Sequence, residues 1–289
     1  MLLRQLRNRR MFRVLTLIAI SASTAGGHNI ASVAAAQIPD SNASKTVDVV
    51  YIGDSITLGS EIPDPSTQAP PATCTELLRK QLPGISVFMS NQGEDGHTTV
   101  DALPSSNLDF PIIERAATRL QTEHPGLLVF SIMLGTNDSA QSGTNGAPVS
   151  AQQYGDNLRA IVSRLLLEYP GSITIVNRPT WYSPNTHNGA VYDKPGLERL
   201  QTYFPVIEST VHSFSSTPGR VYEGDTAAFD FFATHSQTDL TPEQGREGTF
   251  YLHPNVQGAQ ALGGFWSSAI VHALELHDRA VSGDLKPHI

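Results

Sequence analysis

Short apolar runs alternate along this chain with longer stretches of helical period. Residues 47–52, 85–89, 127–134 and 173–176 are rich in Val, Ile and Leu and bounded by turn residues, as expected of strands buried on both faces, and 220–222 is a weaker fifth. Helical period marks 73–81, 110–121, 151–169, 196–214 and 256–276. In 151–169, Tyr154, Leu158, Ile161, Val162 and Leu165 fall on one face, and Gly171 beyond Pro170 supplies a stop. The last segment repeats this with Ala259, Leu262, Trp266, Ala269 and Ala273, behind Asn255 as a candidate N-cap. The alternation predicts an α/β fold, a parallel sheet with helices on its faces. Two Pro- and Gly-rich stretches, 61–71 and 139–150, read as surface loops of the kind that carry binding groups. No repeat or inter-domain linker interrupts the pattern, so residues 37–289 are expected to form a single domain.

The first forty residues stand outside this pattern. Arg4, Arg7, Arg9, Arg10 and Arg13 form a basic head before the apolar run 14–20, and Ala34-Ala35-Ala36 offers a cleavage site ahead of Gln37. Residues 1–36 therefore read as a signal peptide, and the mature protein as secreted or periplasmic. Arg9-Arg10-Met11-Phe12 resembles a twin-arginine export signal, while a plain Sec signal also carries basic residues there. Removing the segment leaves 14 basic against 27 acidic residues, a net charge of −13. Such a field repels phosphate backbones and anionic membrane surfaces, which argues against nucleic acid and acidic lipid as partners and leaves neutral substrates open. The apolar run 14–20 is shorter than the roughly 20 residues of a stop-transfer anchor, so no stable membrane insertion is expected after signal cleavage. Cys74 stands alone, so it is expected as a small buried residue with no disulfide framework around it.

The polar clusters fall just past the carboxyl ends of the predicted strands, where open α/β sheets bind ligands. Gly53-Asp54-Ser55-Ile56-Thr57-Leu58-Gly59 follows the first, Asn91-Gln92-Gly93-Glu94-Asp95-Gly96 the second and Gly135-Thr136-Asn137-Asp138 the third, while Leu252-His253-Pro254-Asn255 opens the last helix. Ester cleavage needs a nucleophilic oxygen, a base for its proton and donors aimed at the developing oxyanion. Ser55 supplies the hydroxyl. His253 is the natural base, since an ordinary imidazole is mostly neutral near pH 7. The backbone N–H groups of Ser55 and Gly96 and the side-chain amide of Asn137 supply the oxyanion hole. No HExxH, cysteine pair or P-loop is present, so neither metal nor cofactor is expected.

These blocks, in this order, resemble the SGNH hydrolases, whose name records the Ser, Gly, Asn and His of four separated motifs. Gly-Asp-Ser at Ser55, Asn91 with Gly96 five residues on, Gly135-Thr136-Asn137-Asp138 and His253-Pro254-Asn255, with the first strand and last helix that flank them, span residues 47–270. The resemblance implies a flavodoxin-like three-layer α/β/α sandwich and hydrolysis of esters, often acetyl or other acyl groups on carbohydrates or small lipids. It differs from the nucleophile elbow of α/β-hydrolases, because Thr57 stands where G-x-S-x-G needs its second glycine. One departure concerns the acid that the family usually places three residues before the histidine, since that position is Phe250. Glu247 or Asp239 could orient the His253 ring instead, or a backbone carbonyl could accept its other N–H.

Trp181 and Tyr182, beside Asn185 and His187, are candidates for stacking on a sugar face, or equally for an aromatic plug over the sheet edge. The leading expectation is thus an exported, cofactor-free serine esterase removing acetyl or other short acyl groups from a small-molecule or carbohydrate ester. The alternatives are a lipase, lysophospholipase or thioesterase acting on longer chains, and a carbohydrate-binding protein that kept the scaffold without turnover, for which Phe250 is the only support.

Overall fold

The computed structural model describes residues 45–282, so the expected signal peptide lies outside the described residues. The chain runs β1 (Lys45–Gly53), α1 (Ser55–Leu58), α2 (Pro65–Gln68), α3 (Pro70–Gln81), β2 (Ile85–Gly93), α4 (Phe110–Glu123), β3 (Leu127–Met133), α5 (Ala151–Glu168) and β4 (Ile173–Val176). It continues through α6 (Asp193–Thr202), α7 (Phe204–Ser213), β5 (Val221–Glu223), α8 (Ala228–Asp239), β6 (Leu240–Gly245), β7 (Gly248–Pro254) and α9 (Val256–Ser282). The strands β2-β1-β3-β4-β5, in that order, form one parallel sheet, and β6 and β7 form a separate antiparallel hairpin. This is the flavodoxin-like order, in which the chain leaves β1 toward β2 and returns past it to β3. The two crossovers therefore lie on opposite faces, and a crevice opens at the carboxyl end of β1.

Burial explains the strands. From Val47 to Gly53 β1 is buried throughout, as a central strand covered on both faces must be. On one face Tyr51 stacks on Trp266 of α9 with ring centroids 5.9 Å apart, and its hydroxyl lies 3.2 Å from Thr75 Oγ1 of α3. On the other, α4 and α5 are tied together by Arg164 over the Phe110 ring and by the Tyr169 hydroxyl donating to the Glu114 carbonyl at 3.0 Å. Cys74 is fully buried, and burial pushes its thiol up to about 12, so it acts as a small apolar group.

The five predicted strands and four of the five predicted helices are present with modest shifts at their ends, and three differences have local causes. The segment 196–214 is two helices, because Pro205 has no N–H to donate and its ring crowds the carbonyl one turn back, which breaks the ladder at Tyr203. Within 61–71, Pro65 and Pro70 open α2 and α3, since proline suits a helix's first turn. Residues 228–254, unassigned by pattern apart from the His253 block, hold α8 and the β6–β7 hairpin. Asn255 does cap α9, its Oδ1 accepting the Gly258 N–H at 3.0 Å.

Candidate active site

Ser55 opens α1 directly above the end of β1. Asp54 caps the short helix by accepting the Ile56 N–H at 3.0 Å, and Gly59, at φ 92°, closes it by donating its N–H to the Ser55 carbonyl. As the first helical residue, Ser55 has no intrahelical partner for its own N–H, which leaves that donor for a ligand. So tight a turn requires Gly53, where a Cβ would meet Thr57 Oγ1 at 2.0 Å. Asn91 ties the end of β2 to the same helix, its Nδ2 donating to the Thr57 carbonyl at 2.9 Å.

His253 arrives from the opposite end of the chain, at the close of β7. Its Nε2 lies 2.9 Å from Ser55 Oγ and its Nδ1 lies 2.9 Å from Glu243 Oε1. Ser55, His253 and Glu243 thus form a continuous hydroxyl–imidazole–carboxylate chain. Burial lowers the imidazole's basicity, but the Glu243 hydrogen bond and charge, with Asp54 and Glu61 nearby, outweigh it and hold the His253 pKa above its ordinary 6.5.

The carboxylate on the imidazole is therefore neither of those expected. Glu247 is exposed in the turn between β6 and β7. Asp239 ends α8, with its carboxylate on the Thr238 hydroxyl and its carbonyl on the Asn255 N–H. Phe250, at the position three before the histidine, is buried in the core, and its cross-strand partner in the hairpin register is Glu243. The acid thus comes from the adjacent strand, ten residues before His253. The signal for it was Gly245-Arg246-Glu247-Gly248, a glycine-flanked two-residue turn between short runs that pairs Glu243 with Phe250.

The expected oxyanion donors gather at the same rim. Gly96 stands at φ 73° with open space where a Cβ would be, and Asn137 and Gly96 border one cavity with Ser55 and His253. Asn137 Nδ2 donates to the His97 carbonyl at 2.9 Å, and its Oδ1 accepts the Tyr192 hydroxyl at 2.5 Å. Asp138 turns away from the cavity and accepts the Thr99 N–H, which anchors the loop behind Gly96. Tyr182 is fully buried, its hydroxyl 2.7 Å from Ser139 Oγ, and Trp181 packs half-buried against the core. Neither borders the cavity. Asn188, Gly189, Ala190 and Tyr192 of the same loop do.

The cavity holds about 540 Å³, with Ser60, Glu61, Asp95, Gly143, Thr144 and Glu243 completing its wall. A larger one of about 590 Å³ opens at the amino ends of the strands among Leu82, Ile85, Leu127 and Leu274, away from the Ser55–His253 pair. Among the described residues no helix is long and apolar enough to cross a membrane.

Solved structures share this fold at low identity. The carbohydrate acetylesterase Est24 from Sinorhizobium meliloti is 16% identical, with a TM-score of 0.52 over 78% of this chain and 98% of its own. An aryl esterase from M. smegmatis is 16% identical, with a TM-score of 0.53 over 78% of this chain and 99% of its own. No curated protein matches the chain significantly. The profile of the GDSL-like lipase/acylhydrolase family matches residues 51–261, a span that holds Ser55, Gly96, Asn137, Glu243 and His253. By this match over most of its length, and with the sheet order and motif blocks in agreement, the chain belongs to the GDSL-like lipase/acylhydrolase family of carboxylic ester hydrolases.

Proposed function

We propose that the protein is a serine esterase that removes acetyl or other short acyl groups from carbohydrate esters through an acyl-enzyme on Ser55. His253 Nε2 takes the Ser55 proton as Oγ attacks the ester carbonyl, while Glu243 holds the ring by its Nδ1–H and stabilises the imidazolium. The negative charge that develops on the carbonyl oxygen meets the N–H groups of Ser55 and Gly96 and the Asn137 amide. His253 then protonates the departing alcohol. A water, deprotonated by the same ring, releases the acid.

The observation that carries the substrate reading is the cavity wall. Ser60, Glu61, Asp95, Thr144 and Asn188 present hydroxyl, carboxylate and amide groups, and Ala190 is the largest aliphatic side chain among the wall residues. A long acyl chain would find little apolar surface there, whereas sugar hydroxyls would find partners. The Est24 neighbour, a carbohydrate acetylesterase, agrees in fold with this reading. An acetylated oligosaccharide and p-nitrophenyl acetate should be turned over far faster than a p-nitrophenyl ester of a long fatty acid. Preference for the long ester would overturn the substrate assignment. We also propose that the enzyme acts outside the cytoplasm, a reading supported by the basic head, the apolar run 14–20 and the Ala34-Ala35-Ala36 cleavage site of its sequence. Intact mass of protein recovered from the producing cell should match a chain beginning at Gln37, and an intact residue 1–36 segment would refute export by cleavage.

A further inference from the structure

The carboxamide of Asn137 is bound on both sides. Its Nδ2 gives one hydrogen to the His97 carbonyl at 2.9 Å, and its Oδ1 receives the Tyr192 hydroxyl at 2.5 Å, in a site where both side chains are 2% exposed. An amide has two N–H bonds, so this leaves one for the cavity that Ser55 and His253 share. The His97 carbonyl accepts only, so the amino end must face it, and the phenol occupies the other end. A hydrogen bond donated to an amide oxygen also draws electron density from its nitrogen, which makes the remaining N–H a stronger donor.

Tyr192 is itself held rigidly. Its N–H donates to the Thr186 carbonyl at 3.1 Å, its carbonyl accepts the Gly196 N–H at 2.9 Å, and its ring lies against Tyr182 with centroids 5.1 Å apart. The preceding Val191 is tied to the loop after Asn137 on both sides, donating to the Ser142 carbonyl at 2.9 Å and accepting the Gln141 N–H at 2.6 Å. Burial, with Asp54, Tyr182 and Glu243 adding to it, pushes the phenol pKa well up, so the hydroxyl remains a donor across the working range of an esterase.

Resting on the esterase reading above, we propose that Tyr192 is a positioning residue of the oxyanion hole, its hydroxyl orienting and polarising the Asn137 amide toward the reacting carbonyl oxygen. Removing a whole oxyanion donor lowers kcat by roughly 10²–10³, so losing the group that tunes one should lower it by about tenfold. Tyr192→Phe deletes only the hydroxyl. With p-nitrophenyl acetate, this variant should lose about tenfold in kcat with KM unchanged within about twofold. In an Asn137→Ala background the same substitution should change kcat by less than about twofold, because the group it acts through is gone. A Tyr192→Phe enzyme with full kcat, one whose KM alone changes, or an equal loss in both backgrounds would overturn the proposal, as would a variant that no longer folds, which would assign the hydroxyl to the fold. Ser55→Ala separates the positioning role of Tyr192 from the esterase activity itself. If it retains wild-type hydrolysis, the esterase reading fails and this one with it; if it is inactive while Tyr192→Phe is unimpaired, only the positioning role fails.

Discussion

Glu243 meets His253 Nδ1 at 2.9 Å from a neighbouring strand, and that contact raises the basicity of the imidazole facing Ser55 against the opposing effect of burial. Glu243→Gln removes the charge while keeping the shape, and is expected to lower kcat by about 10²-fold or more, as loss of a triad acid does elsewhere. Glu247→Gln, exposed in the turn, should leave kcat within about twofold. The sign of the pH effect follows from the raised His253 pKa. The base works only when neutral, so kcat/KM should rise with pH through a midpoint above 6.5, and Glu243→Gln should move that midpoint down. A kcat/KM profile for each protein checks both points, and an unchanged midpoint would remove Glu243 from this role. Ser55, Gly96, Asn137 and His253 were all legible as candidates because each lies within its own short motif. Glu243 was not, since its partnership exists only across a hairpin register.

At the scale of elements, the hairpin β6–β7 serves as the arm that carries both Glu243 and His253. Phe250 anchors it, buried beside Glu243's register position. Phe250→Ala is expected to cost about 3–5 kcal/mol of stability, measured by denaturant unfolding, and to lower kcat more than KM because the arm loosens. A loss of stability with unimpaired kcat would separate the anchor from the site. The strands of the main sheet were legible because parallel strands buried on both faces leave continuous Val- and Ile-rich runs, as in β1 and β3. The hairpin left a weaker trace. Its first strand, Leu-Thr-Pro-Glu-Gln-Gly, has one buried residue and a proline, so neither alternation nor hydrophobicity marks it. The break at Tyr203 was readable from Pro205, whose effect on a helix interior is local and strong.

For the whole molecule, the acidic balance and the strand order act together. The order 2-1-3-4-5 opens the crevice at β1, where Ser55 stands, and Glu61 and Asp95 border the cavity around it. With a formal net charge of −8 for the full sequence, an anionic ester should show lower kcat/KM than a neutral ester of matched leaving group, and added salt should narrow the gap. Equal rates at low ionic strength would mean that the field at the mouth is unimportant. The central claim is that Ser55, activated by His253 and Glu243, forms a covalent acyl intermediate. Rapid quenching during turnover of p-nitrophenyl acetate, followed by peptide mass spectrometry, tests it most directly. One acetyl group on the peptide carrying Ser55, absent from Ser55→Ala and accumulating less in His253→Ala, is the expected result; hydrolysis that proceeds in Ser55→Ala, or acetylation confined to another residue, would contradict the account.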